Sequence, residues 1–178
     1  MIAENILMYV READAADYIS RYLDCGRFEA LCRECPNYGR RWGCPPLDAG
    51  FIRDYRHVRL FALKIDIKPT PGDTGAAEAM MKVIQDVRGD YEPRLLALER
   101  DLGGRAALFT GMCPHCGSEE CARTSGKPCR HPDLVRPSLE ALGFDLTATA
   151  ADYFGIELKW SSRGEYPPYL CLIGGVFY

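Results

Sequence analysis

No stretch of this chain approaches the ~18 consecutive apolar residues that a membrane-spanning helix requires. The first ten residues, Met1 to Val10, have no basic region and are interrupted by Glu4, with Arg11, Glu12 and Asp14 close behind, so they do not read as a signal peptide. Neither charge sign dominates. A net charge of −3 over 178 residues gives no electrostatic case for nucleic acid or for an anionic membrane. There is no low-complexity tract and no internal repeat. With 47% hydrophobic and 26% charged residues, the composition is that of an ordered globular protein. Catalytic signatures are also missing: no Ser-His-Asp ordering, no phosphate-cradling glycine loop and no His-Glu-x-x-His. No catalytic residue is therefore named. What remains is one cytoplasmic domain spanning residues 1–178, large enough to bury a sizeable core.

Against that background, nine cysteines stand out. A reducing cytosol disfavours structural disulfides, and an odd count leaves at least one thiol unpaired. Seven of the nine fall in two local clusters, the pattern that metal chelation produces because nearby ligands are the easiest to bring together.

The intervening sequence predicts an α/β or α+β fold. Ala15, Ile19, Tyr22 and Leu23 mark an amphipathic helix ending near Asp24, with Gly26 as its stop signal. An irregular cysteine loop follows over 25–46. Val58 to Ile67 reads as a strand with both faces apolar, hence central in a sheet. Helical spacing runs through Ala77, Met80, Met81, Ile84 and Val87, and again through Tyr91, Leu95, Leu98 and Leu102. Gly89 and Pro93 predict a break between the two pieces. Arg105 to Thr110 is a short strand, so strand, helical crossover and strand suggest a right-handed βαβ-like unit. The second cysteine loop occupies 111–132. Short helices at 138–142 and 147–154 and a last strand, Tyr169 to Phe177, complete a small mixed sheet with packed helices.

The second loop carries the stronger signal. Cys113 and Cys116 form a Cys-x-x-Cys turn, with Cys121 and Cys129 following, so four thiols lie within 17 residues. Tetrahedral zinc takes four thiolates at ~2.3 Å. A four-iron, four-sulfur (4Fe-4S) cluster also takes four, one on each iron. Three successive cysteines followed by a fourth are closer to ferredoxin-style binding than to paired zinc knuckles, although neither match is strict. His115 and His131 read as solvated loop histidines. Arg123, Lys127 and Arg130 either offset thiolate charge, contact an acidic partner or are simply solvated.

The first loop offers Cys32, Cys35 and Cys44, stiffened by Pro36, Pro45 and Pro46. Its fourth ligand is open: Cys25 is the foremost candidate and His57 a weaker one, while Cys171 sits in an apolar strand and reads as a buried hydrophobe. Three thiolates alone would leave an open coordination position suited to Lewis-acid catalysis. Trp42 and Tyr38 are placed to cover the centre, or to anchor the loop on the domain surface.

These residues carry a family resemblance. Cys32-Arg-Glu-Cys35-Pro-Asn-Tyr-Gly39 with Trp42-Gly-Cys44-Pro-Pro46 resembles the N-terminal signature of the DUF2284 family of predicted metal-binding proteins of anaerobic bacteria and archaea. Gly111-Met-Cys113-Pro-His-Cys116, Cys121, Lys127-Pro-Cys129-Arg-His-Pro132 and Arg136-Pro-Ser-Leu-Glu-Ala-Leu-Gly-Phe-Asp145 resemble its downstream half. The resemblance implies that Cys32, Cys35, Cys44, Cys113, Cys116, Cys121 and Cys129 are the core ligands, with Cys25 and Cys171 outside the pattern. The leading expectation is one or two 4Fe-4S clusters and electron exchange with a redox partner protein. A zinc-braced interaction domain is the alternative, and an enzyme with an open metal site in the first loop the third. In the 136–140 segment, Ser138 is expected to cap a helix and Glu140 to pair with a nearby arginine.

Overall fold

The computed structural model describes residues 2–68, 75–117, 119–159 and 166–178. Four strands, β1 (Ile2–Asp14), β2 (His57–Lys68), β3 (Arg105–Ala107) and β4 (Tyr169–Phe177), form one sheet in the order β1-β2-β4-β3. Every neighbouring pair is antiparallel. The fold is α+β.

Strand β2 is central, as its two apolar faces require. Val58, Leu60 and Ala62 enter one core with Tyr18, Leu139, Phe144 and Phe177. Phe61, Leu63 and Ile65 enter the other, with Met80, Val83, Val87, Leu95 and Leu96 of α3 (Ala76–Leu102). The crossover between β2 and β3 takes a split form. Those two strands run in the same direction, but β4 lies between them and pairs with both. The sequence does not signal that insertion, because β4 arrives some sixty residues after β3 and its partners are chosen by packing.

Three local expectations change. Residues 2–14, for which no strand is expected above, form an edge strand paired with β2. Gly26 does not stop a helix. Helix α1 (Ala15–Tyr22) ends at Leu23, and a second helix, α2 (Cys25–Arg33), starts at once because the Asp24 carboxylate accepts from Arg27 N–H at 3.0 Å. Gly26 thus falls in a first turn. Finally, α3 is continuous through Pro93. The apolar residues on both sides of Pro93 pack against one face of the sheet, which offsets the hydrogen bond that proline removes.

Helices α4 (Leu139–Leu142) and α5 (Leu146–Phe154) follow the second loop. Ser138 caps α4 by accepting from Ala141 N–H at 3.2 Å, as expected. Among the described residues Glu140 pairs with no arginine; its carboxylate accepts from Ser138 at 3.3 Å and from Thr110. Phe144 at the end of α4 bridges back to Leu23, and α4 packs on α2.

Two buried ion pairs project from α3. Arg136 grips Glu99 with Nε at 2.8 Å from Oε2 and Nη2 at 2.6 Å from Oε1, and Glu99 Oε2 also accepts from Ala106 N–H at 2.6 Å. Arg88 Nε donates to Glu92 at 2.6 Å. Burial raises the Glu99 pKa, but Arg136 and the Ala106 amide outweigh it and leave that carboxyl below its ordinary 4.5. A depressed carboxyl pKa contributes stability above the unfolded value and loses it as pH falls through the folded one. Glu99→Ala, which strands the Arg136 charge, is expected to cost about 3–5 kcal/mol at neutral pH. The deficit relative to wild type should shrink as pH falls below 4.5, and denaturant melts across pH check both statements.

Candidate metal centre

The first cysteine loop leaves the C-terminus of α2. Cys32 lies in the last turn of that helix, and Cys35 follows immediately, its N–H bonded to Cys32 O at 3.0 Å. The chain then turns back: Gly39 N–H reaches Pro45 O at 2.7 Å and Cys44 N–H reaches Arg41 O at 3.0 Å. This brings Cys44 back beside the start of the loop. Burial raises the Cys44 thiol pKa, and the neighbouring Cys35 and Cys32 thiols raise it further by charge repulsion. Burial likewise raises that of Cys32, with Cys35 and Glu140 adding to it. Cys32, Cys35 and Cys44 thus lie on one turned-back loop, and each of Cys32 and Cys44 feels the charge of Cys35.

The second loop forms the other set. Its base is closed where Leu108 N–H bonds to Pro137 O at 2.9 Å. Both of its ends are tied to α3. Arg88 Nη1 donates to Met112 O at 2.7 Å, directly before Cys113. Arg136 Nη1 donates to Pro132 O at 3.1 Å and Val135 O at 2.8 Å, three and six residues after Cys129. Burial raises the Cys113 pKa, a backbone bond from His115 N–H lowers it, and the Cys116 and Cys129 thiols raise it. The His131 N–H points at Cys129 Sγ at 3.4 Å. Backbone donors two residues after a cysteine stabilise a thiolate, so both Cys113 and Cys129 have the support that a ligating sulfur uses. Cys121 opens a short 3₁₀ turn over 122–125 that faces the first loop.

The remaining candidates lie elsewhere. Cys25 stands at the start of α2 with its thiol directed to Leu142 O at 3.6 Å. It lines a surface pocket of about 260 Å³ with Glu29, Pro45 and Gly143. His57, at the start of β2, packs against Tyr178 with ring centroids 5.5 Å apart. Cys171, half-buried in β4, packs on the core, and burial pushes its pKa up to about 11. The histidines of the second loop stand together, ring centroids 6.1 Å apart, and burial lowers the His115 pKa. Tyr38 donates to Glu29 at 2.7 Å, and Trp42 stacks against Arg123 at 5.3 Å. Both aromatics anchor the loop.

Among the described residues, no three Cys, His, Asp or Glu side chains stand close enough as placed to hold a metal ion. The thiols are grouped by loop but not drawn in to bonding distance. A thiolate donor set fits zinc and iron–sulfur clusters equally.

The family model for predicted metal-binding proteins matches residues 24–174, which takes in both loops and the scaffold between them. The chain belongs to the DUF2284 family. Neither a curated protein nor a solved structure matches it. The DUF2284 match begins at Asp24 and so includes Cys25, Cys171 and every thiol of the two loops. No helix among the described residues is long and apolar enough to cross a membrane.

What sequence reasoning missed is the support for the second loop. Arg88, Glu92 and Glu99 sit on one face of α3 without any motif; their only trace is charge at i, i+4 and i+11 positions in an otherwise apolar stripe. Gly111 belongs with them. Its φ is +129°, and a Cβ there would lie 2.5 Å from Arg88 Nη1. Gly111→Ala should push Arg88 off Met112, lower the melting temperature and reduce metal content per chain. Thermal melts with elemental analysis test this; unchanged values in both would remove the Arg88 tether from the account.

Proposed function

We propose that this DUF2284 protein is an iron–sulfur protein that exchanges electrons with a partner protein. What supports the reading is the contact between the two cysteine-bearing loops, made by Arg123 and Trp42, with three thiols on one loop and four on the other. Cys113, Cys116, Cys121 and Cys129 would hold a 4Fe-4S cluster. Cys32, Cys35 and Cys44 would hold a second centre, with Cys25 the nearest further thiol in the chain. When bound, such clusters supply one-electron transfer at a potential set by ligation, hydrogen bonding and burial.

The chain's own residues suit that task. The amides of His115 and His131 donate toward Cys113 and Cys129 and would favour the thiolate forms. The charges of Arg41 and Arg123 act on Cys44 and favour its thiolate form. The exposed apolar groove lined by Trp42, Pro128, Pro132 and Val135 beside Cys129 gives a partner somewhere to rest. Two centres on touching loops make a short internal path, which a purely bracing role would not require. Metal binding to the thiols of a loop would brace that loop and couple loading to local folding.

Protein purified without oxygen should contain iron and acid-labile sulfide in matching amounts, with a broad absorption near ~400 nm that bleaches on reduction. Cys113→Ser and Cys32→Ser should each remove one centre's share of the iron. Zinc without sulfide would replace this reading with a bracing or Lewis-acid role.

A further inference from the structure

One side chain fastens the two cysteine loops together. Arg123, two residues after Cys121, reaches across to the first loop and fills its guanidinium with that loop's carbonyls. Nη1 lies 2.5 Å from Cys44 O and 2.7 Å from Arg41 O, and Nη2 lies 2.9 Å from Pro46 O. The same guanidinium stacks on Trp42 with 5.3 Å to the ring centroid. The Trp42 indole N–H then returns to Lys127 O of the second loop at 3.2 Å. Arg40 and Glu120 add an exposed ion pair at 3.2 Å. The contact is thus reciprocal: each loop supplies a donor that satisfies backbone acceptors of the other.

Its placement relative to the thiols gives it a consequence. The carbonyls that Arg123 holds belong to Cys44 itself, to Arg41 and to Pro46, so they fix the peptide that carries one sulfur of the first set. Arg123 in turn is carried by the 3₁₀ turn that Cys121 opens and Gly126 closes, within the span from Cys116 to Cys129. Drawing Cys121 and Cys129 onto a metal would immobilise that turn, and with it the fork that positions Cys44. Only arginine suits the place. Its planar fork meets three carbonyls while its face stacks on an indole; a lysine ammonium is a point donor and does neither together.

We propose that the two thiol sets load metal as one thermodynamic unit, with Arg123 as the positioning residue that transmits loading of one set to the other. The proposal rests on the reading that each set holds a metal, but not on which metal. Because linkage is reciprocal, filling the first set tightens the second by the same factor.

Cobalt(II) titration of reduced, metal-free protein reads this directly, since thiolate-bound cobalt absorbs in the near ultraviolet whether the resident centre is iron–sulfur or zinc. With the second set disabled as Cys113→Ser/Cys116→Ser, the first set should bind cobalt about tenfold more weakly than in wild type, within the usual range of coupling factors. Arg123→Ala alone should weaken the first set by a similar factor, and Arg123→Lys should not restore it. Added to the disabled second set, Arg123→Ala should cost nothing further, because the signal it carries is already gone. Cys32→Ser/Cys35→Ser should weaken the second set by the matching factor.

Arg123→Ala costing the same with and without the second set would make it a plain brace and overturn the proposal. So would unchanged first-set affinity in Arg123→Ala, or two wild-type sites that fill independently. Wild-type protein that takes up no cobalt at either set would instead remove the metal reading on which the proposal stands. Should Arg123→Ala fail to fold, Arg123→Lys compared across the two backgrounds makes the same distinction.

Discussion

The pairing of Arg136 with Glu99, and of Arg88 with Glu92, decides where the cysteine chemistry of this protein can happen. Each pair is buried against α3, and each arginine also donates to the backbone at one end of the second loop, Arg88 to Met112 before Cys113 and Arg136 to Pro132 after Cys129. A buried arginine without its glutamate would leave an uncompensated charge, so helix, strand β3 and loop are bound into a single arrangement. The glutamates reach further still. Glu99 accepts from Ala106 N–H and Glu92 from Phe109 N–H, covering the backbone of the edge strand that leads into the loop. A long irregular segment is thereby held at both ends by a rigid element, which is how a loop can present several sulfurs repeatedly in one place.

The first loop has a different support. It hangs from α2, which is oriented by the Leu23–Phe144 bridge and by packing on α4, and Gly143 closes against Cys25 with a φ of +101°. Its far end is held chiefly by the second loop, through Arg123 and Trp42. Support therefore runs in one direction: sheet to α3, α3 to the second loop, second loop to the first. That hierarchy explains why the two cysteine loops touch although some seventy residues of strand and helix separate them in the chain.

Much of this was visible in the sequence where the determining interactions are local. The spacing of Cys32, Cys35 and Cys44 and of Cys113, Cys116, Cys121 and Cys129 identified both loops. The doubly apolar run at 58–67 identified the central strand, and 169–177 the last one. Ser138 was legible as a cap because capping spans three residues. Errors arose where a local signal met a stronger distant one. Pro93 is a helix breaker in isolation, yet α3 runs through it because apolar side chains on both sides are buried on one sheet. Gly26 is a stop signal, yet the Asp24 cap makes it part of a new helix. The edge strand β1 has exposed Leu7, Met8 and Val10 and no clean polar face, so periodicity alone is a weak guide to it.

By itself the sequence determined the family, the mixture of helices and strands, the two thiol-bearing loops and the residues available to hold a metal, since chelating motifs, caps and strand patterns are written within a few residues of one another. Only the tertiary structure decided that β4 enters between β2 and β3, that Glu99 takes Arg136, and that Arg123 takes three carbonyls of the other loop. Those partners lie 37 and about 80 positions apart. Nothing periodic connects them. They meet because burying two sheet faces leaves only one way to fold the chain between them, and the polar groups carried along must then find each other or remain unsatisfied.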